Sequence, residues 1–236
     1  MGAPVMNDRL CCLCSQIQGQ PAGDLIAAML PDQPYIRRVL LETESFAAIP
    51  SLGPLVPGHS LLCPKTHLRS FAELPRDLDQ ELVSVTEELR GALAGLYDVP
   101  VHLFEHGMAT GGTRTLCTVD HAHLHFVPLL FQPFSSDLSA DGRWVSFEGS
   151  LQELRALAGG GEYVFYRAPD GSSIFLGPEA EDLESQYMRK LFAKSMGRAN
   201  EWDWRVSPEA ASADETWRQV VRYMHGYPAS ARSGIR

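Results

Sequence analysis

Apolar residues in this chain fall into short runs, interrupted once by a long helical pattern. Five runs have the length and composition of β-strands: 35–43, 46–49, 59–64, 99–105 and 121–129. After the third run, leucine and valine recur at three- or four-residue steps with polar residues between them, which predicts a long amphipathic helix: Leu78, Leu82, Val85, Leu89 and Leu93. Two further runs, 162–167 and 173–176, flank a Pro-Asp-Gly turn and predict a β-hairpin.

The last third of the chain has a different pattern, which predicts helices. Leu183, Tyr187 and Leu191 share one helical face. A final helix is expected to begin at Ser212, with Glu215 completing a capping box. The pattern as a whole predicts a mixed sheet with one long packed helix, followed by a helical extension from about residue 178.

The charge and hydropathy of the chain indicate which classes of binding partner are not expected. The 236 residues carry 20 Lys and Arg against 29 Asp and Glu, a net charge of −9. A broad basic surface is therefore not expected, and neither is binding to nucleic acid. No segment approaches the roughly 18 consecutive apolar residues of a membrane span, and the first residues lack the pattern of a secretory signal. We expect a cytoplasmic protein without membrane association.

The cysteines favour a metal site over a disulfide framework. There are five, Cys11, Cys12, Cys14, Cys63 and Cys117, and three of them lie within four residues. An odd total with such clustering is typical of metal binding in a reducing compartment.

Three histidines alternate with small or apolar residues at positions 121, 123 and 125. Alternate side chains of a strand share a face, so the three imidazoles would line one side of the sheet. Ring nitrogens grouped in this way can bind a metal, donate hydrogen bonds to phosphate oxygens or attack phosphorus.

The segment HAHLHFV, residues 121–127, resembles the histidine-triad signature of the HIT superfamily. A second block, GHSLLCPKTH at 58–67, resembles the strand and turn that precede the triad in that family. The pair Cys11-x-x-Cys14 forms a third block, and the three occur in the family's order. The resemblance extends, more distantly, to galactose-1-phosphate uridylyltransferases.

The resemblance implies an α+β, HIT-like fold with a mainly antiparallel sheet, shaped as a half-barrel, and a long packed helix. It assigns a catalytic domain with an N-terminal zinc-binding segment to residues 1–177. Residues 178–236 are then a helical extension packed on that core. Because the family is commonly dimeric, a homodimer is expected.

The resemblance also implies transfer or hydrolysis at the α-phosphorus of a nucleotide through a covalent nucleotidyl-histidine. On that match His123 is the nucleophile, His125 positions and neutralises the phosphate oxygens, and Thr118 contacts a phosphate oxygen. The chemistry is consistent with the residue type, because a neutral imidazole can attack through one nitrogen while the other donates its proton to a fixed acceptor.

A structural zinc site is predicted from two sources. Cys11 and Cys14 have a spacing that suits tetrahedral zinc, although Cys12-x-Cys14 is an alternative pair of thiolates. The resemblance supplies the other two ligands, His67 and His121.

Several candidate substrate contacts depart from the family pattern. Glu105 stands where asparagine is expected, Cys117 where glutamine is expected, and Ser51 near the place of a ribose-binding acid. A carboxylate near phosphate is unfavourable, and Arg114 could offset it by bidentate contact.

The extension adds two candidates, since Gln186 and Arg189 are three residues apart and share a helix face from which they could reach a leaving group. We expect a nucleotide hydrolase that acts on a phosphoramidate, a dinucleoside polyphosphate or a nucleotide conjugate. His125 favours hydrolysis, because the transferase branch often has glutamine there. The alternatives are a nucleotidyltransferase or phosphorylase with the same intermediate, and an inactive, zinc-stabilised nucleotide-binding module.

Overall fold

The computed structural model describes residues 11–109, 119–133, 143–177 and 184–226. Its eight strands are β1 (Leu41–Glu42), β2 (Phe46–Pro50), β3 (Ser60–Pro64), β4 (Val101–Gly107), β5 (Leu124–Pro128), β6 (Val145–Phe147), β7 (Tyr163–Arg167) and β8 (Ser173–Leu176). They form one open sheet in the order β1-β2-β3-β5-β4-β7-β8-β6, and every neighbouring pair is antiparallel. The predicted α+β class with a mainly antiparallel sheet is confirmed.

In the part of the chain that the structure describes, six α-helices accompany the sheet: α1 (Cys12–Gln18), α2 (Leu25–Met29), α3 (Asp79–Tyr97), α4 (Leu151–Ala158), α5 (Tyr187–Ser195) and α6 (Ala210–Gly226). Single 3₁₀ turns lie at Pro21–Gly23, Phe71–Glu73 and Arg76–Leu78. Within the described residues, none of the helices has both the length and the apolar character needed to cross a membrane.

One face of the sheet, here called the helix face, is covered by α3, α4 and α6. Leu62 and Phe126 project from the sheet into this layer, where they share a core with Leu89 of α3 and Val220 of α6. The predicted long helix is confirmed as α3, because its leucine and valine repeat places one stripe in this core.

The opposite face, here called the site face, is covered by α1 and α5. Ile17 of α1 packs on Leu61 of β3, and Phe192 of α5 packs with Phe104 of β4. His125 of β5 belongs to this face, because its neighbours in the strand project into the helix-face core. The two helices leave a gap between them over the centre of the sheet.

Two predicted elements are wrong at their boundaries. The strand expected at 35–43 is reduced to β1, because Arg38 turns inward to a buried ion pair with Asp214 of α6 at 2.6 Å. Helix α6 begins at Ala210, so Ser212 lies inside the helix and the capping box expected there does not form. The predicted hairpin is confirmed as β7 and β8.

Candidate active site

A cavity fills the gap between α1 and α5 on the site face of the sheet. It encloses about 640 Å³, open solvent at its mouth included. Polar side chains from distant parts of the chain meet there, namely Ser51, His106, His123, His125, Gln186 and Arg189. A concave site where polar groups converge among apolar side chains is typical of small-molecule binding.

The three histidines do not share one strand face as expected. Strand β5 begins only at Leu124, and the preceding segment bonds elsewhere, with Ala122 N donating to Leu68 O at 2.7 Å. The His121 ring turns away from the cavity and its Nε2 lies 2.9 Å from Pro64 O. His123 and His125 both line the cavity, with ring centroids 4.8 Å apart.

His123 is buried, and its Nδ1 lies 2.6 Å from the backbone oxygen of His121. A carbonyl can only accept, so Nδ1 carries the proton and the lone pair of the neutral ring is on Nε2. Burial lowers the pKa of His123 below its usual 6.5, while the bond to His121 and the charge of Glu105 act in the opposite direction. The ring is therefore neutral at pH 7 and has the tautomer that a nucleophile needs.

A relay of hydrogen bonds sets the tautomer of His125. The backbone N–H of Leu55 donates to His59 Nδ1 at 3.0 Å, so the proton of neutral His59 is on Nε2. His59 Nε2 lies 2.9 Å from His125 Nδ1, which must then accept and leave its own proton on Nε2. Burial lowers the pKa of both rings well below 6.5, so both are neutral.

His106 of β4 is a cavity residue that the sequence reasoning missed. Its Nε2 accepts from Met188 N at 3.1 Å, which ties β4 to the first turn of α5. Burial lowers the pKa of His106 to about 3. A usable signal exists, since His106 is separated by one residue from Phe104, whose ring stacks on His125 at 4.1 Å.

Arg189 gives the cavity its charge. Its Nε donates to Trp202 O at 2.8 Å and its Nη2 to Gly53 O at 2.6 Å, so the guanidinium is held by carbonyl oxygens. Among the described residues that line the cavity, Arg189 is the one charged side chain and none is a carboxylate. An acidic protein thus has a positive charge beside four neutral imidazoles, an arrangement that favours an anionic ligand.

Only some of the other predicted substrate contacts line the cavity. Ser51 and Gln186 line the cavity, together with Arg189. Glu105 does not, because its carboxylate projects from the other side of β4 and accepts from Phe71 N at 2.8 Å and from Tyr163 Oη at 2.6 Å. Burial raises the pKa of Glu105 to about 7, although both hydrogen bonds act to lower it. Three predicted residues lie outside the described part of the chain: Arg114, Cys117 and Thr118.

The four predicted metal ligands lie together. The ligand atoms of Cys11, Cys14, His67 and His121 are all within 4.8 Å of one another, and the cluster could hold a metal ion. Cys14 Sγ is 3.4 Å from His67 Nδ1 and 3.3 Å from His121 Nδ1, while Cys11 Sγ is 3.5 Å from His121 Nδ1. Sulfur and nitrogen ligands of one tetrahedral zinc stand about 3.5 Å apart.

The metal cluster also has a suitable proton arrangement. His121 Nε2 donates to Pro64 O, so Nδ1 presents its lone pair to the two sulfurs. The hydrogen bond between the two thiols lowers the pKa of Cys11 to about 3 and raises the pKa of Cys14 well above its usual range, so Cys11 is the thiolate and Cys14 keeps the proton that a metal ion would displace. Cys12 turns toward the cavity instead, so of the two thiolate pairs compatible with the sequence, the cluster contains Cys11 and Cys14.

The segment 51–58, here called the site loop, connects β2 to His59 and is held by the connection between α5 and α6. Gly53 N donates to Pro208 O at 2.5 Å, and Arg198 Nη1 donates to Leu55 O at 2.7 Å. Leu55 is also the residue whose N–H orients His59. Contacts from beyond β8 therefore position the loop from which the relay to His125 begins.

We expect Gly53→Ala to destabilise the protein by about 2–5 kcal/mol, because left-handed backbone and a steric clash add together. Gly53 has φ +66°, and an added Cβ would lie 2.6 Å from Trp204 Cβ and 2.8 Å from Ser207 O. Gly197 is the matched control, since its φ is +71° and nothing lies within 4 Å of its Cβ position. Gly197→Ala should cost only about 1–2 kcal/mol. If urea unfolding gave the same loss of unfolding free energy for both variants, the close packing of the site loop would be contradicted.

Parts of this chain are similar to several solved structures. Among solved structures, it is similar to a HIT family member from Bacillus subtilis, at 19% identity over 62% of this chain and 92% of the other, with a TM-score of 0.41. A HIT family protein from Bacillus anthracis matches at 22% identity over 52% of this chain and 76% of the other, with a TM-score of 0.40. A HIT-like protein from Bartonella henselae matches at 18% identity over 45% and 78%, with a TM-score of 0.34.

A search of curated proteins finds no match. The family model that matches is the HIT domain, over residues 36–131. This segment carries His67, His121, His123 and His125, whereas α1 and α5, which enclose the cavity, lie outside it. The part of this chain that matches the HIT domain is therefore residues 36–131.

Proposed function

We propose that this protein is a nucleotide hydrolase that acts at the α-phosphate of a nucleoside 5′-phosphate derivative. The substrate is a phosphoramidate, a dinucleoside polyphosphate or a nucleotide conjugate, and the reaction passes through a covalent nucleotidyl-histidine. One observation carries the proposal, the bond from His123 Nδ1 to His121 O, which leaves the lone pair of a neutral imidazole on Nε2 beside the cation Arg189.

In the first step His123 Nε2 attacks the α-phosphorus. A phosphorus–nitrogen bond forms while the bond to the leaving group breaks, and the leaving group departs with that electron pair and takes a proton from solvent. The ring becomes a phosphorylated imidazolium, whose positive charge is stabilised by the short Nδ1–H bond to His121 O. The His125 Nε2–H, oriented by His59, donates to a non-bridging phosphate oxygen.

In the second step water attacks the same phosphorus. The new phosphorus–oxygen bond replaces the bond to His123 Nε2, the nucleoside monophosphate leaves, and the proton lost by water goes to solvent. His123 returns to its neutral form with the proton still on Nδ1. Arg189 balances the phosphate charge in both steps, since the described cavity lining contains no carboxylate to oppose it.

One wall of the cavity is apolar and suits the base of a nucleoside. Leu13, Leu25 and Leu61 contribute apolar surface next to α1, where a flat base can be buried. Gln186, directly before α5, and Arg189 of α5 form the opposite wall, although Gln186 lies outside the helix and the two do not share the predicted helix face.

We test the proposal by incubating the protein with a nucleoside 5′-phosphoramidate and with a dinucleoside polyphosphate, followed by acid quench and mass spectrometry. The expected result is turnover of at least one compound and a nucleotidyl adduct on His123. Turnover in ¹⁸O-labelled water should place one ¹⁸O in the released monophosphate. If the protein binds nucleotide but gives neither adduct nor turnover, it is a binding module. If product forms only with a non-water acceptor, it is a transferase.

For the cluster of Cys11, Cys14, His67 and His121 we infer structural zinc. Two thiolates and two imidazoles are the ligand set of closed zinc sites, and the separations between the ligand atoms suit a tetrahedron. The ion would join the start of α1 to the segment that carries His123 and supply rigidity there.

A further inference from the structure

Gln186 carries a buried acceptor with no partner. Its side chain is 3% exposed, lines the cavity, and its Oε1 makes no hydrogen bond within the described structure. Buried carbonyl oxygens are nearly always bonded, so such an atom at a cavity wall points to a ligand group that is not a protein atom.

The orientation of this amide follows from its surroundings. Gln186 Nε2 donates to Asp203 Oδ1 at 3.2 Å, and Arg205 holds the same carboxylate. Hydrogen bonds from Arg205 hold the pKa of Asp203 well below its usual range, so Asp203 is ionised and can only accept. The amide nitrogen must therefore face Asp203, which leaves Oε1 as the unpaired atom of a side chain that lines the cavity.

The backbone at Gln186 is also unusual. It has φ 61° and ψ 32°, a left-handed conformation that costs energy for a residue with a Cβ, and the residue directly precedes α5. Glycine would adopt this conformation without strain. Strained backbone of this kind concentrates at functional sites, where it fixes the direction of a side chain.

The phosphate of a nucleotide cannot satisfy Gln186, because ionised phosphate oxygens only accept hydrogen bonds. The partner must be an N–H or O–H group. On the proposed function, that group belongs either to the nucleoside, as a ribose hydroxyl or a base amino group, or to the leaving group, as an amine N–H.

We propose that Gln186 is a specificity-determining residue which accepts a hydrogen bond from an N–H or O–H group of the ligand. It selects ligands that carry this donor over those that offer only acceptors at the same place. A site built around a buried acceptor discriminates strongly, because a ligand without the donor leaves that acceptor unpaired.

The test measures binding by calorimetry in His123→Ala protein, so that every ligand stays intact. The reference ligand is the tightest of the four common ribonucleoside 5′-monophosphates. Three paired probes each remove the donors of one part of the ligand: its 2′,3′-dideoxy form lacks both ribose hydroxyls, an analogue lacks the base amino or imino hydrogen, and an N,N-dialkyl phosphoramidate lacks the N–H of the N-monoalkyl compound. We expect the dissociation constants of one pair to differ by about 10- to 100-fold in the protein that retains Gln186. In the protein that also carries Gln186→Met, the same two constants should differ little.

The pair that couples to Gln186 identifies the source of the donor. Gln219→Met is the matched control, since Gln219 of α6 bonds Glu215 of the same helix and Tyr97 of α3, outside the cavity, and its loss should leave all three differences unchanged. Competition by inorganic phosphate should be equal in both variants, which shows that the anion site is intact. If no pair couples to Gln186, the proposal is overturned. Coupling without turnover of any substrate by the unmodified protein would overturn only the proposed hydrolysis.

Discussion

His123→Ala is expected to eliminate the nucleotidyl adduct and to lower turnover by about 10⁴-fold or more, as loss of a covalent nucleophile does in other enzymes. The expectation rests on His123 having its proton fixed on Nδ1 and its lone pair on the cavity nitrogen. Rapid-quench single-turnover kinetics would measure both quantities in one experiment.

Two further variants show whether the effect is specific to His123. His125→Ala should cost less, about 10²- to 10³-fold, because it removes one hydrogen bond to the phosphate and leaves the nucleophile in place. His225→Ala is the control, since His225 is exposed in the last turn of α6. An adduct that persists in His123→Ala at the unmodified rate would remove His123 as the nucleophile.

The pH dependence of adduct formation has a defined sign. Burial lowers the pKa of His123 below the usual histidine value of 6.5. The attacking nitrogen Nε2 is therefore protonated only in more acidic solution. Glu105, with a pKa raised to about 7 by burial, is itself protonated over the same range, so the negative charge that favours protonation of His123 is lost as pH falls. The adduct rate should stay level from pH 8 to 6.5 and fall in more acidic solution. A half-maximal rate at pH 6.5 or above would contradict a buried neutral nucleophile.

The sequence was informative where chemistry depends on short spacings. A Cys-x-x-Cys pair at the start of α1 brings two sulfurs together. The alternation of histidines with apolar residues next to β5 keeps the imidazole rings away from the side chains of the apolar core. Together with the family resemblance, these patterns were enough to name four residues whose ligand atoms cluster in the structure. The roles of His123 and His125 stay predictions.

The cavity walls could not be predicted in the same way, because they depend on long-range packing. Helix α1 is too short to show a clear apolar period, and only its contact with β3 places Gln16 in the cavity. The link from His59 to His125 could not be predicted either, since it requires that β3 and β5 be neighbours. Glu105 was assigned to the substrate because its sequence position suggested it, whereas strand alternation directs its carboxylate to Tyr163.

Removal of the metal is expected to cost about 5 kcal/mol or more of stability, since a closed site of four ligands contributes its binding free energy to folding. Freshly purified protein should contain one zinc per chain by elemental analysis, and chelation should lower the thermal unfolding midpoint by about 10 °C or more. Cys14→Ala should behave like the chelated protein. Cys12→Ala is the matched control, because Cys12 is adjacent in α1 and lies outside the cluster.

The same ion should affect chemistry at a distance, because His121 has two functions in this arrangement. Its Nδ1 belongs to the metal cluster, and its backbone oxygen accepts the proton of His123 at 2.6 Å. Loss of the metal frees the His121 segment, and the His123 tautomer is then no longer fixed. Metal-depleted protein should therefore form the adduct at least about 10-fold more slowly, even at a temperature where it remains folded. An unchanged adduct rate in folded, metal-free protein would show that the cluster stabilises the N-terminal segment without positioning the nucleophile.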